Sequence, residues 1–444
     1  MPALAIWESS DNWQPILKRL STYHKMNIKV WVGTNPQCTF QVHSFDYGNL
    51  PFYTYKGYSK EIYDMVYHHI HEFSCMYFRN YRPYAQKAYA CKTIFDISDI
   101  FNQLVELFCQ ILIDNKIDVL IFSRMFHLGS DYLMYLVAQA LGIRTVIPYQ
   151  GSFRGRFFYT YTLEDFGIFQ DIRPICPPDE PFILPTLQDI HWDYMDRKIS
   201  TPVFHHVGNS QELKNFPHIH LESEFTEKCH AAYLNSLQSS FLQRQSKLYQ
   251  DIDLDGNFVY FPLHLQPEMT TSPLGGRYND QILALECLRD FLPSTWKILI
   301  KENPYQTFYQ RGPWFYQRIK SLPNVFLVSP ETNTKSLILG SRFVATITGT
   351  AGYEALLAEK CALTFGKAWY NTLPGIFSYT KELSLDSILS HKISRIAVQN
   401  KLNELLTLTG KGYIYGQAGD MHTPENIITV SRMLKAIIDS SLQN

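Results

Sequence analysis

Between residues 257 and 365 short apolar runs alternate with longer amphipathic ones, and this constrains the fold more than any other feature of the chain's 444 residues. Residues 257–263, 296–301, 324–328, 343–347 and 362–365 read as strands. Residues 280–291, 311–321, 334–339 and a short run starting near Tyr353 read as helices between them. Strands joined by helical crossovers pair in parallel, and repeated crossovers give a doubly wound α/β sheet. Ligands of such sheets bind just past the carboxyl ends of the strands. Two polar segments stand there: His264-Leu-Gln266-Pro-Glu268 with Lys301-Glu302-Asn303-Pro304, and Thr348-Gly349-Thr350-Ala351-Gly352.

The N-terminal half alternates less cleanly. Residues 28–33 and 143–147 read as strands, as does the apolar run 117–122. Residues 59–81, 96–115 and 131–141 read as helices, the last closed by Gly142 as a C-cap. Prolines 174, 177, 178, 181 and 185 make residues 171–202 an extended connection. Residues 222–250 look amphipathic and helical, joining the halves. Thr423-Pro424-Glu425 is a helix start, with a hydroxyl cap and proline in the first turn. Ile427, Val430, Leu434 and Ile437 line one face of that helix. The expected layout is two α/β domains around a cleft (1–200 and 257–422), a helical connection (201–256) and a terminal helix (423–444) packing back.

Composition removes several function classes. A net charge of −1 gives no basic field for nucleic acid. The eight cysteines are scattered without C-x-x-C spacing, as reduced core thiols are. The N-terminus reaches Glu8 and Asp11 too early for a signal peptide, and no run approaches the roughly 18 apolar residues of a membrane span. The expectation is a cytoplasmic protein, at most peripheral to a membrane. His68, His69 and His71 lack the i, i+4 spacing of a helical metal site, so no metal is expected.

The Thr348, Gly349, Thr350, Gly352 turn feeds a helix N-terminus, where free N–H groups and the helix dipole favour phosphate; it also reads as a turn whose small residues serve packing. It matches neither G-x-G-x-x-G nor the Walker loop. Glu354 follows, as an acceptor for sugar or ribose hydroxyls or as a complement to the dipole. Lys301 is a phosphate clamp or the exposed end of a strand. His264 and Glu268, flanking Gln266, form an acid–base pair, a grip on a donor sugar, or a plain polar loop. His127 and Asp131, four apart at a helix start, suit activation of an acceptor hydroxyl, with Asp131 as N-cap or as nucleophile the other readings. Arg154 and Arg156 suit an anionic acceptor or simply decorate a loop. Together these point to a phosphate-bearing donor such as a nucleotide sugar, used as substrate with no cofactor.

Residues 262–268, Lys301-Glu302-Asn303-Pro304 and the stretch from Thr348 to Leu357 resemble bacterial capsule and surface-polysaccharide glycosyltransferases, a group that includes transferases using CMP-activated Kdo. The likeness is strongest over residues 257–375 and looser around Phe126–Tyr132 and Gln150–Phe158. It implies a GT-B fold of two Rossmann-like domains, with donor on the C-terminal one and a glycan or lipid-linked acceptor on the N-terminal one, at the cytoplasmic face of the inner membrane. Such enzymes commonly carry Lys-Glu-His-Pro, with the histidine on the donor phosphate. Here Asn303 can donate a hydrogen bond but carries no charge, so leaving-group stabilisation shifts to Lys301 and the Thr348–Gly352 turn. A polyol-phosphate transferase, a sugar-nucleotide epimerase and a non-catalytic assembly protein are the alternatives.

Overall fold

The computed structural model describes residues 1–8, 13–46, 50–79, 94–190, 224–266, 268, 270–308, 311–415 and 418–443. Its strands are β1 (Ala3–Trp7), β2 (Asn27–Gly33), β3 (Phe40–Gln41), β4 (Val119–Phe122), β5 (Arg144–Gln150), β6 (Arg156–Thr160), β7 (Phe258–Pro262), β8 (Lys297–Lys301), β9 (Val325–Leu327), β10 (Val344–Thr346), β11 (Ala362–Thr364), β12 (Ile376–Ser378) and β13 (Gly410–Lys411). Among the described residues these make one sheet ordered β13-β6-β5-β4-β1-β2-β3 and another ordered β12-β11-β10-β7-β8-β9. Each sheet belongs to its own compact unit. One unit comprises the described residues of Met1–Phe182 and Asn400–Asn444, the other those of Ile183–Gln399.

The second sheet is parallel throughout. Its central strands are nearly continuous apolar runs, because a sheet covered by helices on both faces has no solvent side. Val259, Phe261, Ile298, Ile300, Ala345 and Ile347 are buried with Ile282, Leu285 and Leu288 of the Gln281–Phe291 helix. Each fully buried Ile, Leu or Phe contributes about 1.5–3 kcal/mol. Asp280 sets the start of that helix, its carboxylate accepting from Ile282 N at 3.1 Å. The strand order reverses direction between β7 and β10, as in a Rossmann sheet.

The first sheet has the same reversal between β1 and β4, with parallel β1–β5 extended antiparallel by β6 and β13. The fold is therefore two Rossmann-like α/β units, as expected for the GT-B class. Its central β1 is fully buried; the sequence reading weighed that stretch only as a targeting segment. The Pro424–Ser441 helix packs on this unit through Val430, Leu434 and Ile437, against the Gln14–Thr22 helix and β5. Thr423 caps it, accepting from Asn426 N at 3.2 Å.

Three expectations need correction. The helix expected over 59–81, whose last two residues fall outside the described ones, is broken into a 3-10 turn (Tyr58–Glu61) and two short helices, Tyr63–Tyr67 and Ile70–Arg79. At its start the Gly57 and Ser59 amides are drawn to the Glu106 carboxylate instead of a continuing helix. The Glu224–Ser246 helix is not a free connection: Phe241 lies in the second unit's core, and Gln245 Nε2 donates to the Tyr316 hydroxyl at 2.9 Å. The chain also returns to the first unit at Asn400 instead of 423, because Gly410–Lys411 pairs with β6 and completes that sheet.

Candidate functional site

The reversal between β7 and β10 opens a crevice past the carboxyl ends of the second sheet. A cavity of about 340 Å³ occupies it. The loop after β7 supplies His264, Glu268 and Thr270; the end of β8 supplies Lys301, Glu302 and Asn303; the turn after β10 supplies Gly349, Thr350 and Ala351. Tyr260, Pro330 and Thr334 close it, and no sequence pattern had singled those out.

His264 is buried under the turn that follows β10. Its Nε2 accepts from Ile347 N at 3.2 Å and lies 2.8 Å from the Thr346 hydroxyl. A backbone N–H can only donate, so Nε2 is unprotonated and the ring proton sits on Nδ1. Burial, reinforced by the Arg311 charge, pushes the imidazole down to about 4. It is therefore neutral at neutral pH, a hydrogen-bond donor through Nδ1–H instead of the acid–base partner expected from sequence. Gly349 makes this contact possible. A Cβ there would stand 3.0 Å from His264 Cε1 and 2.9 Å from Thr346 Oγ1.

Lys301 ends β8 with its ammonium donating to Thr332 O (2.7 Å) and the Thr334 hydroxyl (3.0 Å). No carboxylate of the described residues forms an ion pair with it, and burial alone lowers it to about 8. One N–H remains for the cavity. Asn303 accepts from Tyr305 N at 3.0 Å through its side-chain oxygen, which leaves the amide NH2 to donate. Glu302, between them, turns inward. It pairs with Arg311 at 3.2 Å, the two side chains 1% and 0% exposed, and accepts from the Tyr316 hydroxyl at 2.8 Å. Arg311 also donates to His264 O at 2.7 Å and to Gln266 Oε1, so one buried guanidinium ties two cavity loops together.

The other expected donor-binding residues frame the cavity without lining it. Gln266 braces the loop through its amide to Asn279 O and its backbone N–H to Gln306 Oε1 (2.9 Å). The Thr348 hydroxyl donates to Thr270 O at 2.8 Å. The helix begins at Thr350, not near Tyr353, so Thr350 and Ala351 carry its first amides. Gly352 lies under the Tyr370 ring. Glu354 falls in the second turn of the helix and is fully buried.

The expected acceptor residues lie in the first unit. Asp131 is not an N-cap: Gly129 is, at φ 77, a backbone conformation suited to glycine. The Asp131 carboxylate accepts from the backbone N–H of His127 (2.6 Å), Leu128 (2.9 Å) and Tyr132 (2.7 Å), bracing the turn that presents His127. Burial raises its carboxyl despite those donors. Arg156 is buried in β6 and donates to Cys176 O (2.5 Å) and Pro177 O (3.0 Å), a structural tie in place of an anion site. Arg154 is exposed. His69, which carried part of the histidine cluster, has Nδ1 3.4 Å from the Tyr132 hydroxyl. Among the described residues no group of three His, Cys, Asp or Glu side chains is placed to hold a metal ion, and no helix is long and apolar enough to cross a membrane.

Two Rossmann-like units with a crevice at the switch point of the second sheet define a doubly wound α/β protein whose ligands are expected past the strand ends. The family model for capsule polysaccharide biosynthesis proteins matches residues 151–409, more than half of the chain, and the protein belongs to that family. No match is found among curated proteins. Among solved structures the chain is similar to the beta Kdo 2,7 transferase KpsC of Thermosulfurimonas dismutans, at 18% identity and a TM-score of 0.26, over 46% of this chain and 61% of that one. It is also similar to UDP-GlcNAc 2-epimerase of Methanocaldococcus jannaschii (11%, 0.24, 98% and 100%) and to MurG of Acinetobacter baumannii (10%, 0.23, 100% and 100%).

Proposed function

We propose that the protein is a metal-independent glycosyltransferase that moves a sugar from a nucleotide-activated donor, such as a CMP-Kdo-type sugar, to a capsule or related surface-glycan acceptor. The observation that carries this reading is Lys301, a cation held in a switch-point cavity beside a helix N-terminus and in no ion pair with a carboxylate of the described residues. A phosphate supplies the missing counter-charge and meets the helix dipole at the same time. Family membership supports a capsule glycan as product.

In this reading the donor phosphate rests on Gly349, Thr350 and Ala351, with Lys301 and the Asn303 amide donating to it. The bond from the anomeric carbon to the phosphate oxygen breaks as the acceptor hydroxyl oxygen bonds to that carbon. Lys301 and the helix N-terminus hold the negative charge that grows on the departing phosphate, where fixed dipoles stabilise most. Glu268 takes the acceptor proton, and neutral His264 donates through Nδ1–H to the donor. Asp131 and Arg156 hold the frame of the first unit, while His127 and exposed Arg154 serve the acceptor.

A thermal-shift panel of CMP, UDP, GDP and ADP on the native chain, Lys301→Ala and Thr350→Ala tests this. A ligand that binds only the folded state raises its midpoint. The expected result is a selective shift lost in both variants. No shift from any nucleotide overturns the proposal.

A further inference from the structure

A second cavity, of about 490 Å³, lies within the first unit, between residues 53–64 and the Ile94–Asp114 helix. Its walls are Tyr53, Tyr55 and Tyr63, and its rim carries Lys60, Asn102 and Gln103. The segment that bears two of these rings has no regular secondary structure, yet it is held at many points. Buried Glu106 accepts from the backbone N–H of Lys56 (3.0 Å), Gly57 (3.0 Å) and Ser59 (2.9 Å) and from the Ser59 hydroxyl (2.7 Å). Gln110 Nε2 bridges Glu106 (2.8 Å) and Thr54 O (2.9 Å). Burial works to raise the Glu106 carboxyl, but hydrogen bonds from Ser59, Gln110 and the loop amides outweigh it and hold it at about 2. The loop is thus fastened while Tyr53 stays half-buried and Tyr55 stands outside at 58% exposure. Such anchoring adds little apolar burial to the core; what it achieves is a rigid aromatic wall facing solvent.

The chemistry of the lining selects the ligand. Tyrosine offers a flat, rigid face with a polar edge at low entropic cost. Tyr63 donates its hydroxyl to Asn102 Oδ1 at 2.7 Å, which orients that side chain and leaves its NH2 group to donate. Lys60 lies 5.8 Å above the Tyr55 ring and is balanced on the lining by Asp64, while neighbouring Lys56 is paired with Asp114 at 2.6 Å. A flat membrane surface is met by clusters of unpaired basic residues. This cavity is concave, and its one lysine faces Asp64 and the amide-capped Glu106 carboxylate, so its lining has no basic excess.

We infer that this cavity is a carbohydrate-binding site for a short, neutral stretch of glycan, with the tyrosine faces against the C–H faces of the sugar rings and the Asn102 and Gln103 amides on their hydroxyls. The inference draws on no residue of the nucleotide cavity and stands independently of it. It is tested on the full chain by saturation-transfer NMR and calorimetry with maltohexaose, cellohexaose and chitohexaose, alongside Tyr55→Ala and Gln103→Ala. Both are surface changes, and the unfolding midpoint of each variant checks that it stays folded. The expected result is saturable binding of at least one hexaose, weakened about tenfold or more in Tyr55→Ala, with nucleotide thermal shifts unchanged. Failure of the native chain to bind any hexaose overturns the inference, as does equal binding by both variants. Binding to phosphatidylglycerol vesicles that is lost in Tyr55→Ala, without hexaose binding, overturns it too and assigns the patch to a membrane.

Discussion

Replacing Lys301 by Met removes a half-buried cation while keeping most of its volume, and its effect on stability reverses sign with pH. Burial lowers Lys301 from 10.5 to about 8 in the folded chain. Below pH 8 both folded and unfolded states are protonated and the folded state bears the full cost of the buried charge. Between pH 8 and 10.5 the unfolded state binds more protons, so raising the pH relieves that cost. At roughly 1.4 kcal/mol per pH unit the gap is worth about 3.5 kcal/mol. The substitution also forfeits the hydrogen bonds to Thr332 O and the Thr334 hydroxyl, about 1 kcal/mol each. Lys301→Met is therefore expected to be about 1.5 kcal/mol more stable than the native chain at pH 7 and about 2 kcal/mol less stable above pH 10.5, crossing near pH 9. Urea denaturation of both proteins at pH 7 and pH 10 reads this, following the transition that the substitution moves, since two units can unfold separately. Taking the difference between the proteins cancels every other titrating group. A difference that does not change with pH would refute the argument that Lys301 is a desolvated cation without an ion pair among the described residues, and with it the main support for a phosphate at this cavity.

Gly349→Ala drives a Cβ against His264 and Thr346; it is expected to cost about 1–3 kcal/mol by overpacking and to abolish nucleotide thermal shifts, read in a single melting experiment. Arg311→Met strands the Glu302 carboxylate in the interior and is expected to cost about 3–5 kcal/mol, with Glu302→Gln in the same chain recovering part of the loss in a double-mutant cycle. Asp131→Asn weakens the grip on the three amides around His127 and is expected to destabilise the first unit by about 1–3 kcal/mol while nucleotide affinity in calorimetry stays at the native value.

The second unit was legible because its strands are uninterrupted apolar runs closed by turns and caps, and residues 257–365 supply both signals in every repeat. The first unit was less so. β1 is only five residues long, Ala3–Trp7, and its place at the centre of the sheet comes from pairing with β2 and β4, at Asn27 and Val119 onward. No local pattern encodes a partner that far along the chain. β13 is two residues long and is defined wholly by its antiparallel pairing with β6, so the return of the chain to the first unit had no signal strong enough to set against the clear helix start at Thr423.

The site divides along the same line between local and tertiary information. Strand-end position located the cavity, and the Lys301-Glu302-Asn303 run lies beside it, but a motif read as a block assigns all three residues one role. An extended backbone sends successive side chains to opposite sides. All three border the cavity, but the Glu302 carboxylate is bonded inward to Arg311 and Tyr316. That alternation was available in the sequence. The arginine that answers Glu302 was not, because nothing around residue 311 marks it as the partner of a carboxylate nine positions earlier or of the His264 carbonyl. His264 shows the consequence for function: sequence identifies a titratable ring in an acid–base position, whereas the buried contacts from Ile347, Thr346 and Arg311 fix it as a neutral donor. In this fold the residues that line the cavity are found by their place on the strands, and the chemistry open to them is set by partners visible only once the chain has folded.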